Sequence, residues 1–152
     1  MKISDLLDKN SIIADLQSRD KKGVLEELAE SVATTAGAEK KDIVKVLLER
    51  ERLGSTGIGG GIGIPHGKLA AITRVVVGIG ISRNGVEFDA LDHKPVHIFF
   101  LLVTPENSTG NHLRVLAQLS KLLKQKEFKK SLRLGKSAEE IARTIEKYDE
   151  EF

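Results

Sequence analysis

Apolar residues change their spacing three times along this chain, and each change predicts a different element. Val24, Leu25, Leu28 and Val32 recur at helical spacing, with Asp20 placed to cap the start and Gly37 to end the turn. A second helix is predicted from about Glu39 to Leu53, with Ile43, Val44, Val46, Leu47 and Leu48 as its inner side. Val75 to Ile81 and Val96 to Val103 are apolar on nearly every residue rather than on alternate ones. Such runs predict strands covered on both faces. The helical period returns over Ser108 to Lys124, Glu127 to Leu134 and Ser137 to Tyr148. A short element at Ile3 to Leu7 and an extended Ile12-Ile13-Ala14 precede all of these.

The link between the two strong strands, Ser82 to Pro95, holds an Asn84-Gly85 turn signal and a short strand at Val86-Glu87-Phe88, with no helical pattern. Antiparallel pairing is therefore the simpler connection. Helices before and after strands that are buried on both sides predict an α/β fold: a three-layer sandwich, with a mixed central sheet flanked by helices on both faces. No repeat or Pro/Ser-rich linker divides residues 1–152, so a single domain is expected.

Composition narrows the chemistry. The chain has no cysteine, which removes thiolate nucleophiles, thiolate metal sites and disulfides together. With 24 basic and 22 acidic residues the net charge is +2, so no strong field is aimed at nucleic acid. The charged opening MKISDLLDKN lacks a signal-peptide core, and no apolar run approaches the roughly 20 residues that span a bilayer. A soluble, cytoplasmic protein without membrane insertion is expected.

Seven of the 14 glycines fall between Gly54 and Gly67, a segment expected to be a loop with a short strand at Ile62 to Ile64. It is neither a Walker A loop nor a GxGxxG fingerprint, so it gives no support for a nucleotide cofactor. Closely spaced glycines do let backbone approach a ligand, and successive N–H groups can form an anion nest. Next to them stands His66, in Pro65-His66-Gly67. A neutral imidazole is a good phosphoryl acceptor, so the loop reads as a phosphoryl site or as a tight turn with an incidental histidine. His112 shares a helical stripe with Val115, Leu116, Leu119, Leu122 and Leu123. It faces inward near a helix N-terminus, either as an anion ligand or as a satisfied core histidine. At about 100° per residue, Arg50 lies about 20° from Ile43 around the second helix, and Arg52 about 180° away. Arg50 is thus the arginine that can reach the glycine segment, either to neutralise a phosphoryl group or to offset the helix dipole.

His93 and His97 have zinc-pair spacing, but Pro95 lies between them and His97 opens a strand. Four strand residues separate side chains by about 13 Å, so both are read as structural or surface residues. The Lys126/Lys129/Lys130 cluster reads as a solvated helix face rather than a nucleic-acid patch.

Taken together, Leu-Leu-Glu-Arg-Glu-Arg-Leu-Gly-Ser-Thr-Gly-Ile-Gly, then Gly-Ile-Pro-His-Gly ending at Gly67, then Phe-Phe-Leu-Leu-Val-Thr-Pro-Glu-Asn followed by His112, resemble a known family. It is the enzyme IIA domain of the fructose/mannitol type in the bacterial phosphoenolpyruvate-dependent phosphotransferase system. The similarity is greatest to the stand-alone nitrogen-related branch. The resemblance implies an α/β sandwich in which His66 is phosphorylated, His112 helps to hold the phosphoryl group, and Arg50 is the active-site arginine. It implies a phosphotransferase component that needs no cofactor and no metal. The phosphoryl donor would be a histidine-containing phosphocarrier protein. The downstream partners would be regulatory target proteins or, in the sugar-transport alternative, a permease IIB domain. Mannitol-type members carry an acidic residue where this chain has Gly60, a departure that favours the nitrogen-related branch.

Overall fold

The computed structural model describes all 152 residues. A 3₁₀ turn at Ile3–Leu6 leads into strand β1 (Leu7–Ile13), followed by helices α1 (Lys21–Ala36) and α2 (Lys40–Arg52). The Asp20 side chain accepts the Gly23 N–H at 2.8 Å, and Gly37 closes α1 in the left-handed conformation, as the sequence predicts. Three short strands follow, β2 (Gly57–Gly59), β3 (Ile62–Gly63) and β4 (His66–Leu69). The two long strands β5 (Val76–Val86) and β6 (Val96–Pro105) come next, and helices α3 (Thr109–Leu123), α4 (Lys126–Leu134) and α5 (Ala138–Tyr148) complete the chain.

The sheet runs β1-β5-β6-β3-β2, with β4 also paired to β6. β5 and β6 are antiparallel, the arrangement expected for a connection without a crossover helix. β1 lies parallel to β5, and both β3 and β4 lie parallel to β6, so the sheet is mixed. Two apolar cores sandwich it. Val77, Ile79, Ile98, Phe100 and Leu102 pack with α3, α4 and α5 on one face. Val76, Phe99, Leu101 and Val103 pack with α1 and α2 on the other. Alternate residues of the same strand feed opposite cores, which is why β6 is apolar almost throughout. A bulge resets that alternation: the N–H groups of His97 and Ile98 both donate to Gly61 O, at 2.8 and 3.0 Å. Val96 consequently joins the α1/α2 core, although Ile98, two residues on, faces α3–α5.

Three sequence expectations change. The short strand expected at Ile62 to Ile64 is present as β3, but the rest of Gly54–Gly67 is more than loop, because β2 pairs with β3 in a hairpin and β4 begins at His66. Asn84-Gly85 does not end a strand. It forms an irregularity inside β5, with Gly85 at φ 86°, and the expected Val86-Glu87-Phe88 strand is partly the end of β5 itself. Val44, Val46 and Leu48 are half-buried beside the fully buried Ile43 and Leu47. The chain ends meet: Phe152 N–H donates to Met1 O at 2.9 Å, and the Asp149 carboxylate accepts Ser4 N–H at 2.8 Å.

Candidate active site

His66 is the first residue of β4, and Pro65 before it is buried. The strand pairs in parallel with β6, His66 opposite Leu102, and lies against α2. That contact is close: a Cβ on Gly67 would stand 3.0 Å from Val46 Cγ2, so glycine after the histidine lets strand and helix meet. The packing brings the end of α2 to the ring, and Arg50 Nε lies 3.3 Å from His66 Nε2. The same guanidinium donates to Gly54 O at 3.0 Å through Nη1, which anchors it across the end of the helix. Arg52 is exposed, so the separation of the two arginines by helical angle holds in the folded chain.

The tautomer of His66 follows from its partners. Nδ1 lies 2.8 Å from Ile64 O, and a carbonyl oxygen can only accept. Nδ1 therefore carries the proton and Nε2 presents its lone pair, toward Arg50. Burial, the largest influence, lowers the pKa of His66, and the Arg50 charge lowers it further; the Ile64 hydrogen bond and the Glu51 charge act in the opposite direction. The ring is neutral at pH 7 and nucleophilic at Nε2.

His112 meets His66 edge to face, with ring centroids 5.3 Å apart. It enters from the first turn of α3, its Nδ1 lies 2.9 Å from Thr104 Oγ1, and it is only 6% exposed. Burial first, then the charges of His66 and Lys68, push its pKa down to about 4. Sequence spacing placed His112 on an inner stripe, and the fold brings that stripe to His66, so the three predicted residues converge.

Two further side chains at the site carry little signal in the sequence. Glu51, next to Arg50, is buried and accepts Thr56 N–H at 3.2 and 3.3 Å as well as the Thr56 hydroxyl, while Lys21 Nζ lies 3.1 Å from its carboxylate. This network clamps the chain leaving α2 and so fixes the base of the Arg50 segment. Its only cue is that a helix-end carboxylate faces a threonine five residues on. Lys68, two residues after His66 on β4, donates to Thr109 Oγ1 at 2.9 Å at the start of α3. Its ammonium therefore stands over the His112 end of the site.

Three of the seven clustered glycines are turned elsewhere. Gly59, Gly60 and Gly61, all at positive φ, make the β2–β3 turn, and Gly60 N–H is taken by Asp92 Oδ2 at 3.0 Å. Ile62 pairs with Ile98 and His66 with Leu102, so four residues of β6, about 13 Å, separate the turn from the histidine. The glycine turn is not a nest around His66. The other histidines lie apart: His93 is exposed at φ 59°, and His97 Nδ1 is held 2.8 Å from Ser82 O.

The chain belongs to the EIIA type 2 family of the phosphoenolpyruvate-dependent sugar phosphotransferase system, whose pattern it matches over residues 5–148. Within that family it is 36% identical over 141 residues to a nitrogen regulatory protein of Bradyrhizobium diazoefficiens, covering 93% of this chain and 92% of the relative. The crystal structure of the nitrogen regulatory protein IIA-Ntr from Neisseria meningitidis superposes with a TM-score of 0.88 at 37% identity, over 94% of this chain and 98% of that one. A fructose-specific EIIABC component of Bacillus subtilis is 35% identical over 98% of this chain, which spans 24% of that longer protein. No helix is long and apolar enough to cross a membrane.

Proposed function

We propose that this chain is a histidine phosphocarrier in which His66 accepts a phosphoryl group through Nε2 from a phosphohistidine on a small carrier protein. The observation that carries this reading is the fixed tautomer: Ile64 O holds the Nδ1 proton, leaving the Nε2 lone pair in the opening between Arg50 and His112. In the transfer, that lone pair forms the new N–P bond as the N–P bond of the donor breaks. The bonding pair returns to the donor's ring nitrogen, so no proton has to move at the acceptor. Arg50 Nε, now on the lone pair, moves onto the equatorial phosphoryl oxygens, where a guanidinium matches their geometry. A Thr104 hydroxyl proton directed to Nδ1 of His112 leaves that ring's Nε2–H free to donate to the phosphoryl group, and Lys68 adds charge from the rim. Positioning and charge account for the catalysis; no metal or cofactor takes part.

Incubation with phosphoenolpyruvate and the upstream carrier proteins is expected to place one acid-labile, alkali-stable phosphate on the chain and none on His66→Ala. A phosphorylated His66→Ala of native fold overturns the assignment.

Downstream, we infer that the phosphorylation state of His66 governs binding to regulatory target proteins. The likeness to two nitrogen regulatory proteins along nearly their full length supports this reading. Transfer to a sugar-permease IIB domain is the second reading, favoured by the fructose-specific relative. Affinity capture with wild type and with His66→Ala should recover different partners. Recovery of a sugar-specific IIB protein alone overturns regulation. The cytoplasm, where such carriers meet their donors, is the expected location.

A further inference from the structure

On the α3–α5 side of the sheet, away from His66, the β2–β3 turn faces α4 across a cleft of about 500 Å³. Gly60, Gly61 and Ile98 line one wall and Lys126, Lys129, Lys130 and Arg133 the other, with Leu134 at the end. The four cations sit at positions i, i+3, i+4 and i+7 of α4, so the helix puts all of them on one face, opposite its buried Phe128 and Leu132. None of them takes part in an ion pair, although eight ion pairs form elsewhere in the molecule. Lys129 Nζ reaches to within 3.9 Å of where a Gly60 Cβ would stand, so the absence of side chains on the turn keeps the cleft open. The nearest carboxylate on the turn side, Asp92, is occupied with the Gly60 and Lys94 amides.

We propose that this cleft binds a small molecule carrying two or more linked phosphate groups. Four unpaired cations converging on one concavity repel one another, and a multiply charged anion relieves that repulsion. From Lys126 to Arg133 the cationic face extends about 10 Å at 1.5 Å per residue, a length that a single phosphate leaves largely unfilled and a phosphate chain occupies. The volume lies in the range of small-molecule sites. A net charge of only +2 and the paucity of aromatic side chains argue against nucleic acid as the occupant. The turn is continuous through β3 with the strand that opens at His66, which would couple occupancy of the cleft to the proposed phosphoryl site.

The test is a titration of the full chain with pyrophosphate, ATP and inorganic phosphate in about 0.1 M salt, followed by amide NMR shifts and calorimetry. Saturable binding of pyrophosphate or ATP is expected, with shifts concentrated at Gly60, Gly61 and residues 126–134, and inorganic phosphate at least tenfold weaker. The Lys129→Ala/Lys130→Ala double variant should weaken it tenfold or more, while Lys22→Ala/Lys41→Ala on the opposite face leaves it unchanged. Tighter binding of ATP than of pyrophosphate would add the exposed Leu134 as a seat for the base, and equal binding would assign recognition to the phosphates alone; both support the site. His66→Ala should bind normally, which separates this proposal from the relay. Absence of saturation at 10 mM, equal weakening by the control variant, or tighter binding of a short RNA at the same face overturns it.

Discussion

Protonating His112 costs the folded chain more than the unfolded one, because the ring is buried between Thr104 and His66. Its pKa falls from about 6.5 in the unfolded chain to about 4 in the native one. Between those values the unfolded state binds a proton that the native state does not, so stability rises with pH through this window and is lost as pH falls through it. The full difference amounts to roughly 3 kcal/mol. Denaturant midpoints measured from pH 7.5 to pH 4 should fall steeply for the wild type and much less for His112→Gln. Parallel curves for the two proteins would show that other groups carry the acid sensitivity. His66 shifts in the same direction and for the same leading cause, burial. Position on an apolar stripe predicts the burial of His112, but Thr104, its hydrogen-bond partner, lies one residue beyond the apolar run Val96 to Val103 and has no cue of its own.

At the scale of elements, the site depends on how closely β4 approaches α2. Gly67→Ala puts a methyl group 3.0 Å from Val46 Cγ2 and is expected to destabilise the fold by about 1–2 kcal/mol. It should also slow phosphorylation by displacing Arg50 from His66. Val46→Ala in the same chain removes the obstructing methyl groups, so the double variant should recover much of both losses. Strict additivity in a double-mutant cycle would place the strain elsewhere. These contacts join residues remote in sequence, and that is also where sequence reading reaches its limit. The caps of α1, the stripes of α1 to α5 and the antiparallel β5–β6 pair were legible because each leaves a period or a capping residue in a continuous stretch. β3 was legible as the short apolar stretch Ile62 to Ile64, but β2 and β4 were not, because strands of three or four residues rich in glycine have no period to detect. β1 contains the polar run Asp8-Lys9-Asn10 and is a strand by virtue of its pairing with β5. The glycine cluster pointed to the right region but blended two roles: Gly67 serves the contact beneath the histidine, and Gly59 to Gly61 serve a hairpin turn about 13 Å away.

Seen whole, the molecule is one mixed sheet whose central strands supply both cores, with the histidine pair at one end of β6 and the basic cleft near the other. The apolar runs of β5 and β6 made this three-layer arrangement predictable, since no two-layer fold covers both faces of such strands. The meeting of the first and last residues has a topological meaning: the chain is already almost a ring. A short glycine linker joining Phe152 to Met1 would follow a path along which the backbone already hydrogen-bonds. Such a closed chain should keep its fold and its phosphorylation while forfeiting much of the freedom of its unfolded state. The expected gain is on the order of 2–4 kcal/mol, read as a higher melting temperature. The same adjacency means that this unit can be spliced into a longer polypeptide with entry and exit at a single point.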